Sequence, residues 1–465
     1  MKNKYLLGFF VLLFVCVQVV YGQAKYVFYF IGDGMGVNQV NITEAYLSAL
    51  NGERGSGSLT FARFPVASMA ATYSANSDVT ESAAAGTALA TGQRTNNNYI
   101  GVDPAVNRLE TVAEKAKKAG KKVGVATTVQ VNHATPAAFY AHQRDRGMYY
   151  EIAKDIIPSG FDFFAGGGFA NREMLFDRTK APDIYPIIEQ AGYFVAKGYS
   201  DFIANDGKAK KVLLVHENWE KEDGIPYAID RTDKDLTLPQ ITKAAIETLT
   251  KDNNKGFFIM LEAGRIDWAG HGNDGAAVIK EVLDLDEAVK IAYEFYKKYP
   301  KETLIVVTAD HETGGLTAGK SNMNIAVLKH QKMSKERLSD QIRALSESKN
   351  RNVSWEDFKN LLTETMGFWK EIPIRWTHEK LLRDSYEDTF GNRTNAQNRN
   401  YSSDFSLLAE KARQIINDIA LLGWSTTGHS ADFVPVFAVG AGQELFCQKM
   451  HITDIPKNII KAAKY

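Results

Sequence analysis

The chain has 465 residues, 45% of them hydrophobic, and its 55 basic residues balance 55 acidic ones. That supply of apolar side chains is enough for a large core, and the balanced charge argues against an electrostatic nucleic-acid binder. The length would allow two or three domains, but no Pro/Ser-rich linker, charge block or internal repeat marks a boundary, so we predict one domain over residues 23–465.

The first 22 residues have the pattern of a secretory signal peptide. Two lysines precede an uncharged apolar run at 6–20, and Gly22 provides a small residue before a cleavage point. The run is short for a membrane span, with an uncleaved anchor as the alternative. We therefore predict an exported protein, periplasmic or secreted, with no membrane span after cleavage and with 53 basic and 55 acidic residues. Cys447 is then its only cysteine, so no intramolecular disulfide can form.

The predicted mature chain opens with a strand that ends in a glycine-rich turn. Residues 25–31 are aromatic and β-branched, and Gly32-Asp-Gly-Met-Gly36 follows at once. The glycine spacing does not fit a dinucleotide-binding turn, where Asp33 would put a carboxylate in the place of a pyrophosphate. A carboxylate in a tight turn at a strand end suits a cation, and an ordinary turn aspartate is the alternative.

Ser82 is predicted to lie at the start of a helix. Residues 82–90 are rich in helix formers and stop at Gly92. The free N–H groups and the helix dipole would stabilise an alkoxide or a phosphate there, whereas the alternative is a serine that merely caps the helix. No Gly-x-Ser-x-Gly elbow surrounds Ser82, which argues against an esterase of the α/β-hydrolase type.

The next segment continues a β-α-β rhythm and brings further polar candidates. A helix and a short apolar strand (122–128) lead to Pro136, which is suited to opening a helix. His133 and Thr135 would precede that helix, and Arg146 would lie about three turns along it. Taken singly, each of these residues has an ordinary structural explanation.

The run at 256–261 predicts a buried strand that ends at Glu262. Asp267 and His271 follow with a spacing of four. If this stretch is helical, their side chains project from one face and suit a single metal ion. The alternative is a surface loop with a capping aspartate and a solvated histidine.

A third strand, at 303–308, ends in Asp310 and His311. It repeats the arrangement seen at Asp33 and Glu262, and open α/β sheets bind their ligands at the carboxyl ends of strands. The sequence therefore predicts an α/β fold with a mostly parallel central sheet, flanked by helices on both faces.

Residues from about 319 to 420 are polar, helix-prone and poor in strand signals, with a capping-box pattern at Ser354. We predict a helical insertion here, which could cover the site. His429 follows it, and the chain ends its predicted sheet with a strand at 432–439, where Pro435 predicts an edge position.

Six motifs, taken together, resemble the alkaline phosphatases of bacteria and animals, in the family's order and over nearly all of residues 23–465 outside the insertion. Each motif is weak alone, but six in order exclude coincidence. The resemblance implies a metal-dependent phosphomonoesterase with small phosphomonoester substrates and, since relatives commonly pair, a homodimer. The motifs are Asp33-Gly-Met-Gly36, Thr80-Glu-Ser-Ala-Ala84, His133-Ala-Thr135 with Arg146, Glu262 with Asp267 and His271, Thr308-Ala-Asp-His311, and Thr427-Gly-His429.

The resemblance also implies a role for each site residue. Ser82 would become phosphorylated, Arg146 would grip the phosphate, and two Zn2+ and one Mg2+ would bind per chain. Such a set is intelligible because phosphoryl transfer depends on positioning and charge compensation. The implied ligands are Asp267, His271 and His429 for the first zinc, Asp33, Asp310 and His311 for the second, and Asp33, His133, Thr135 and Glu262 for the third metal, usually magnesium.

Three residues depart from the family's pattern. Glu81 replaces an aspartate and puts the orientation of Arg146 in question, His133 replaces the aspartate of some bacterial members, and Trp268 replaces a lysine or histidine. We therefore predict altered phosphate affinity and metal dependence. The rival functions are a phosphodiesterase or sulfatase on the same two-metal core, and an exported metal- or phosphate-binding protein without turnover.

Overall fold

A computed structural model describes residues 23–57, 59–205, 207–319, 322–391 and 401–465, with only the backbone described at 401–404. The predicted signal peptide, residues 1–22, lies outside these ranges and stays a prediction. Among the helices of the described ranges, none combines the length and apolar character needed to cross a membrane.

The strands of the described residues are β1 (Tyr26–Gly32), β2 (Val66–Ala71), β3 (Lys122–Thr127), β4 (Phe163–Gly166), β5 (Phe194–Lys197), β6 (Val212–Val215), β7 (Phe257–Ala263), β8 (Thr303–Thr308), β9 (Glu312–Thr313), β10 (Leu316–Ala318), β11 (Leu422–Trp424), β12 (His429–Ser430), β13 (Val434–Gly440) and β14 (Met450–His451). Ten of them form one sheet in the order β14-β2-β13-β8-β1-β7-β3-β4-β6-β5. The others form two small two-stranded sheets, β10-β11 and β12-β9.

The helices follow the boundaries that their sequences favour. The helix that begins at Ser82 ends at Gly92, a glycine with φ of +75°. The helices are α1 (Val37–Leu50), α2 (Ser82–Thr91), α3 (Val112–Lys118), α4 (Ala134–Ala137), α5 (Tyr149–Ser159), α6 (Ile184–Gln190), α7 (Tyr199–Ala204), α8 (Leu238–Thr250), α9 (Arg265–His271), α10 (Gly275–Lys298), α11 (Lys335–Ser348), α12 (Trp355–Met366), α13 (Trp376–Phe390), α14 (Tyr401–Ala420) and α15 (Asp454–Ala463), with short 3-10 helices at Phe61–Arg63, Trp219–Lys221, Ile325–His330 and Gln443–Phe446.

Strand β1 is fully buried because helices cover both faces of the sheet. Successive side chains of a strand point to opposite faces. On one face Phe28 packs against Phe295 of α10, with ring centroids 5.5 Å apart. On the other, the hydroxyl of Tyr29 donates to the carbonyl of Leu89 in α2 at 3.5 Å. The predicted α/β architecture, mostly parallel and covered by helices on both faces, is confirmed.

The register of the central strands sets the position of the site. β1 pairs in parallel with both β7 and β8, so that Ile31 lies opposite Glu262 on one side and Thr308 on the other. Asp33 and Asp310 each follow two residues beyond this level. The polar residues that end three strands therefore meet at one edge of the sheet, as the sequence predicted.

Helices dominate the described residues 325–391 and 401–420, as predicted for the region from about 319 to 420. Ser354 caps α12 through a reciprocal pair of bonds: its hydroxyl accepts from the N–H of Asp357, and its own N–H donates to the Asp357 carboxylate, both at 3.1 Å. The predicted capping box is confirmed. The description of this region as an insertion in a single domain stays a prediction.

The predicted edge position of Pro435 is wrong. Its strand, β13, lies between β2 and β8 and is antiparallel to both. The pairing between β13 and β8 begins only at Phe437, so Pro435 lies beyond its end. The carbonyl of Pro435 faces β8, where it accepts from the Thr308 hydroxyl at 2.9 Å. The absent N–H, which would point the same way, therefore removes no ladder bond.

The predicted helical position of Arg146 is also wrong. Helix α4 ends at Ala137, and the following chain pairs with an earlier loop instead. Ile100 and Gln143 exchange backbone hydrogen bonds at 2.9 Å, and the N–H of Arg146 donates to the carbonyl of Asn98 at 2.8 Å. This long-range pairing overrides the local helix signal, which is a weak one.

Candidate active site

Ser82 is the first residue of α2, and its hydroxyl is not used for capping. The N-cap is Glu81, whose carboxylate accepts from the N–H groups of Ala83 and Ala84 at 2.9 and 2.8 Å. Ser82 is buried, and its Oγ lies 3.3 Å from Nε2 of His311. The capping explanation for this serine therefore fails, and its oxygen faces the polar edge of the sheet.

Glu81 also orients Arg146. Its Oε2 accepts from Nη1 of Arg146 at 2.6 Å, and its Oε1 accepts from the N–H of Asn98 at 2.7 Å. Nη2 of Arg146 lies 3.2 Å from Nε2 of His133. The longer side chain of Glu81 thus bridges the start of the serine helix and the arginine loop, which answers how the guanidinium is held.

Carboxylates and imidazoles form three groups that could each hold a metal ion. Within each group the ligand atoms lie within 4.8 Å of one another. His311 belongs to two groups and Asp33 to two, so the three positions adjoin. The groups are Asp267, His311 and His429; Asp33, Asp310 and His311; and Asp33, His133 and Glu262.

Unpartnered buried atoms mark the third group as a cation site. Oδ1 of Asp33, Nδ1 of His133 and Oε1 of Glu262 are buried and make no hydrogen bond. Burial raises the pKa of Glu262 to about 8, and burial together with the charge of Asp310 raises the pKa of Asp33 well above its usual value. Because buried carboxylates are costly unless compensated, a metal cation fits this donor set.

The surroundings shift the pKa values of these histidines in opposite directions. Burial lowers the pKa of His133 to about 3, with the positive charge of Arg146 adding to the effect, and burial lowers that of His311 well below its usual value. Both rings are therefore neutral at pH 7 and able to bind a metal. The hydrogen bond with Asp267 raises the pKa of His271 to about 9.

The remaining predicted site residues lie beside these groups. His271 projects from the same face of α9 as Asp267, with Nε2 at 3.3 Å from Oδ2 of that carboxylate, but it is not a member of a close group. The hydroxyl of Thr135 donates to Oδ2 of Asp310 at 3.3 Å. The eleven residues proposed from sequence therefore converge on one edge of the sheet, while their individual roles stay predictions.

Two threonines support the site and were missed in the sequence. The hydroxyl of Thr313 donates to Oδ1 of Asp267 at 2.5 Å and lies 3.3 Å from Nδ1 of His311, and the hydroxyl of Thr127 donates to Oε2 of Glu262. Thr313 follows a recognised motif and could have been flagged by its place. Thr127 depends on the pairing of β3 with β7, which the sequence does not give.

A cavity of about 870 Å³ is lined by His271 of the predicted site. Its neighbour Trp268 lines the same cavity, together with Lys335 and Arg337 at the start of α11. Trp268 carries no charge, but the guanidinium of Arg265 lies 4.3 Å from the centroid of its ring. The predicted helical insertion thus borders the site rather than lying remote from it.

The fold and the site together define an α/β metalloenzyme of the hydrolase class, with a serine and an arginine beside the candidate metal-binding groups. A family model described as alkaline phosphatase matches residues 24–162 and 189–465. Alkaline phosphatase 3 of Bacillus subtilis (strain 168) is 32% identical over 455 residues, which cover 95% of this chain and 90% of that protein. The chain therefore belongs to the alkaline phosphatase family, and it is a metal-dependent enzyme that hydrolyses phosphomonoesters.

Solved structures agree with this assignment. The cold-active alkaline phosphatase from the psychrophile Shewanella sp. has a TM-score of 0.78 and 28% identity, over 94% of this chain and 99% of that one. In a variant of the alkaline phosphatase from the Antarctic bacterium TAB5, a histidine is replaced by aspartate and Mg is bound in the M3 site. Its TM-score is 0.66, with 27% identity over 96% of this chain and 99% of that one.

Proposed function

We propose that the chain hydrolyses phosphomonoesters through a phosphoserine at Ser82, with two zinc ions and one magnesium ion per chain. The position of Ser82 carries this proposal. Its Oγ lies 3.3 Å from Nε2 of His311, a residue common to two ligand groups. The N-terminus of α2 also favours a negative charge on this oxygen.

The metal ions have a defined set of candidate ligands. When bound, they lower the pKa of a hydroxyl and stabilise charge on the attacking and leaving oxygens. Neutral imidazoles and carboxylates suit zinc, and carboxylate and hydroxyl oxygens suit magnesium. In this proposal Asp267, His271 and His429 hold the first zinc, Asp33, Asp310 and His311 hold the second, and Asp33, His133, Thr135 and Glu262 hold the magnesium.

The chain's own residues position the substrate for attack. Ser82 Oγ bonds to phosphorus while the alcohol departs, and water then displaces the serine to give inorganic phosphate. Arg146 offers its planar fork to two nonbridging oxygens. Glu81 fixes the plane of that fork through the 2.6 Å contact with Nη1.

His133 bears on the choice of the third metal. An imidazole favours zinc over magnesium, whereas an aspartate favours magnesium. The magnesium bound to the TAB5 variant with an aspartate in place of a histidine agrees with this rule. We expect metal analysis to find a higher magnesium content in His133→Asp than in the parent; equal contents would contradict this role of the imidazole.

Ser82→Ala tests the proposal directly. The parent should hydrolyse p-nitrophenyl phosphate, lose activity with EDTA, and yield a phosphorylated peptide containing Ser82 when quenched in acid. The variant should lose hydrolysis while metal analysis still finds its ions. A variant that retains turnover would refute the serine intermediate.

The rival phosphodiesterase or sulfatase is less favoured by the charges of the site. Arg146, and the cation that Asp33, His133 and Glu262 would hold, would add positive charge suited to the dianion of a monoester. We expect p-nitrophenyl phosphate to be turned over much faster than its bis-ester or sulfate. The opposite order would favour the rival.

Export and pairing are separate parts of the proposal. We expect the mature protein to begin at Gln23 and to be found in the periplasm or the medium, which N-terminal sequencing of fractionated cells would test. We expect a homodimer, by resemblance to the family, and analytical ultracentrifugation would detect a monomer instead.

A further inference from the structure

The turn after His271 is held from outside by the helices of the 325–420 region. Residues 272–274 connect α9, which carries Asp267 and His271, to the long helix α10, and are called here the α9–α10 corner. Asn273 has φ of +48°, so the corner is a sharp left-handed turn. The corner directly follows His271, the last residue of α9.

Asp274 is the central acceptor of the α9–α10 corner. It is 1% exposed. Its Oδ1 caps α10 by accepting from the N–H of Ala277 at 3.1 Å. The same oxygen accepts from Nε2 of Gln331 at 2.8 Å, and Oδ2 accepts from the N–H of Lys335 at 2.8 Å. Two of its three donors therefore come from the helical region: Gln331 follows the 3-10 helix Ile325–His330, and Lys335 is the first residue of α11.

A second pair of contacts comes from α14. The carbonyl of Asn273 accepts from Nδ2 of Asn417 at 2.7 Å and from Nη1 of Arg413 at 3.3 Å. The backbone of Gly275 also lies close to strand β11, because a β-carbon there would lie 2.6 Å from Cδ1 of Leu422. Segments nearly 90 residues apart in sequence thus grip one turn.

His271 needs such support more than its neighbours do. Its side chain is 41% exposed, against 6% for Asp267 and 14% for His429. Apart from Asp267, its ring contacts the carbonyl of Thr427, 2.5 Å from Nδ1, and the ring of His429, with centroids 5.0 Å apart. With so few contacts, the ring also depends on the backbone at the end of α9 for its position.

We propose that Asp274, Gln331 and Asn417 are positioning residues for the first metal site, and that the helical region exists in part to lock the α9–α10 corner so that His271 stays in place as a ligand. This rests on the proposed role of His271 in binding zinc. Residues that orient metal ligands commonly change metal affinity by about 10- to 100-fold when removed. Because these residues act through the backbone, the lower end of that range is expected.

The test measures zinc release, not activity alone. Zinc-loaded parent, Gln331→Ala and Asn417→Ala are mixed with a chromophoric chelator, and the release of each ion is followed with time. One ion per chain should leave roughly tenfold faster from each variant, with kcat lowered and the KM for p-nitrophenyl phosphate little changed. Asp274→Asn, which replaces an acceptor with a donor facing the Lys335 N–H, should give a larger effect.

Tyr386→Phe is the matched control. The hydroxyl of Tyr386 is buried and donates to the carbonyl of Val353 at 2.6 Å, within the helical region but away from the α9–α10 corner. This variant should lower the Tm about as much as Asn417→Ala while zinc leaves at the parental rate. If it accelerates zinc release equally, general loosening explains the effect and the positioning role is refuted.

His271→Ala separates this inference from the proposed function. If His271→Ala retains the first zinc as firmly as the parent, the ligand assignment itself is wrong. If it loses that zinc while Gln331→Ala and Asn417→Ala release zinc within twofold of the parental rate, only the positioning role is wrong.

Discussion

Glu81→Asp tests the contact between Glu81 and Arg146, the arginine proposed to bind phosphate. Removing one methylene draws the carboxylate back by about 1.5 Å. Its distance to Nη1 of Arg146 then rises from 2.6 Å to about 4 Å, beyond hydrogen-bonding range. Aspartate remains a good N-cap, so α2 keeps its capping bonds. The change therefore separates the capping of α2 from the contacts that Glu81 makes with the N–H of Asn98 and with Arg146.

The expected loss follows from the kind of bond removed. A hydrogen bond between charged groups contributes about 1.5–3 kcal/mol. If this contact serves the transition state, kcat/KM for p-nitrophenyl phosphate should fall by about 10- to 100-fold. The inhibition constant for inorganic phosphate should rise by a similar factor, because the same guanidinium grips the product.

Steady-state kinetics and thermal unfolding of three proteins provide the assay. Glu81→Asp should keep a Tm close to the parent's, whereas Glu81→Ala should lose the clamp and also about 1 kcal/mol of stability from the lost cap. Unchanged kcat/KM and phosphate inhibition in Glu81→Asp would refute the clamp. A Tm as low as that of Glu81→Ala would refute the retained cap.

Asp286, remote from the metal-ligating groups, gives a pH test. Burial raises its pKa to about 6. The protonated side chain therefore stabilises the fold below the unfolded pKa, and this stability is lost as pH rises through the folded pKa. Relative to Asp286→Asn, the parent should lose about 3 kcal/mol of unfolding free energy between pH 4 and 7, and urea midpoints that change in parallel in the two proteins would contradict this. Trp268→Lys should tighten phosphate inhibition about fivefold, since one added cation contributes about 1 kcal/mol at short range in water; comparable inhibition in both proteins would count against it. Removal of metal by EDTA should lower the Tm by several degrees, and added zinc should restore it, because bound ions stabilise the native state by about 3 kcal/mol at a hundredfold excess over Kd. An unchanged Tm in calorimetry would argue against coupling between metal binding and folding stability.

The convergence of the site could be predicted from sequence because it depends on general rules. Parallel strands end at a common edge, so Asp33, Glu262 and Asp310 had to lie near one another once their strands were recognised. Ser82 was predictable for a similar reason, since its helix has a strong local signal and a glycine stop. The family resemblance added roles that spacing alone does not provide.

The errors lie where long-range pairing decides the structure. Arg146 was expected on a helix, but Gln143 pairs with Ile100 and draws the chain into a loop. Pro435 was expected on an edge strand, but its missing N–H lies beyond the point where β13 begins to pair with β8, so no sheet hydrogen bond is lost. The sequence does not show where that pairing begins. Thr127 contributes through strand register, which is likewise a property of the assembled sheet.

Strand β13 has a consequence for the order of folding. It lies inside the sheet between β2 and β8, although it follows both of them in the chain. The outer edge of β8 therefore has no strand partner until residues 434–440 have been synthesised. His429 precedes the same strand, so we expect the candidate site to assemble only after this segment has been made.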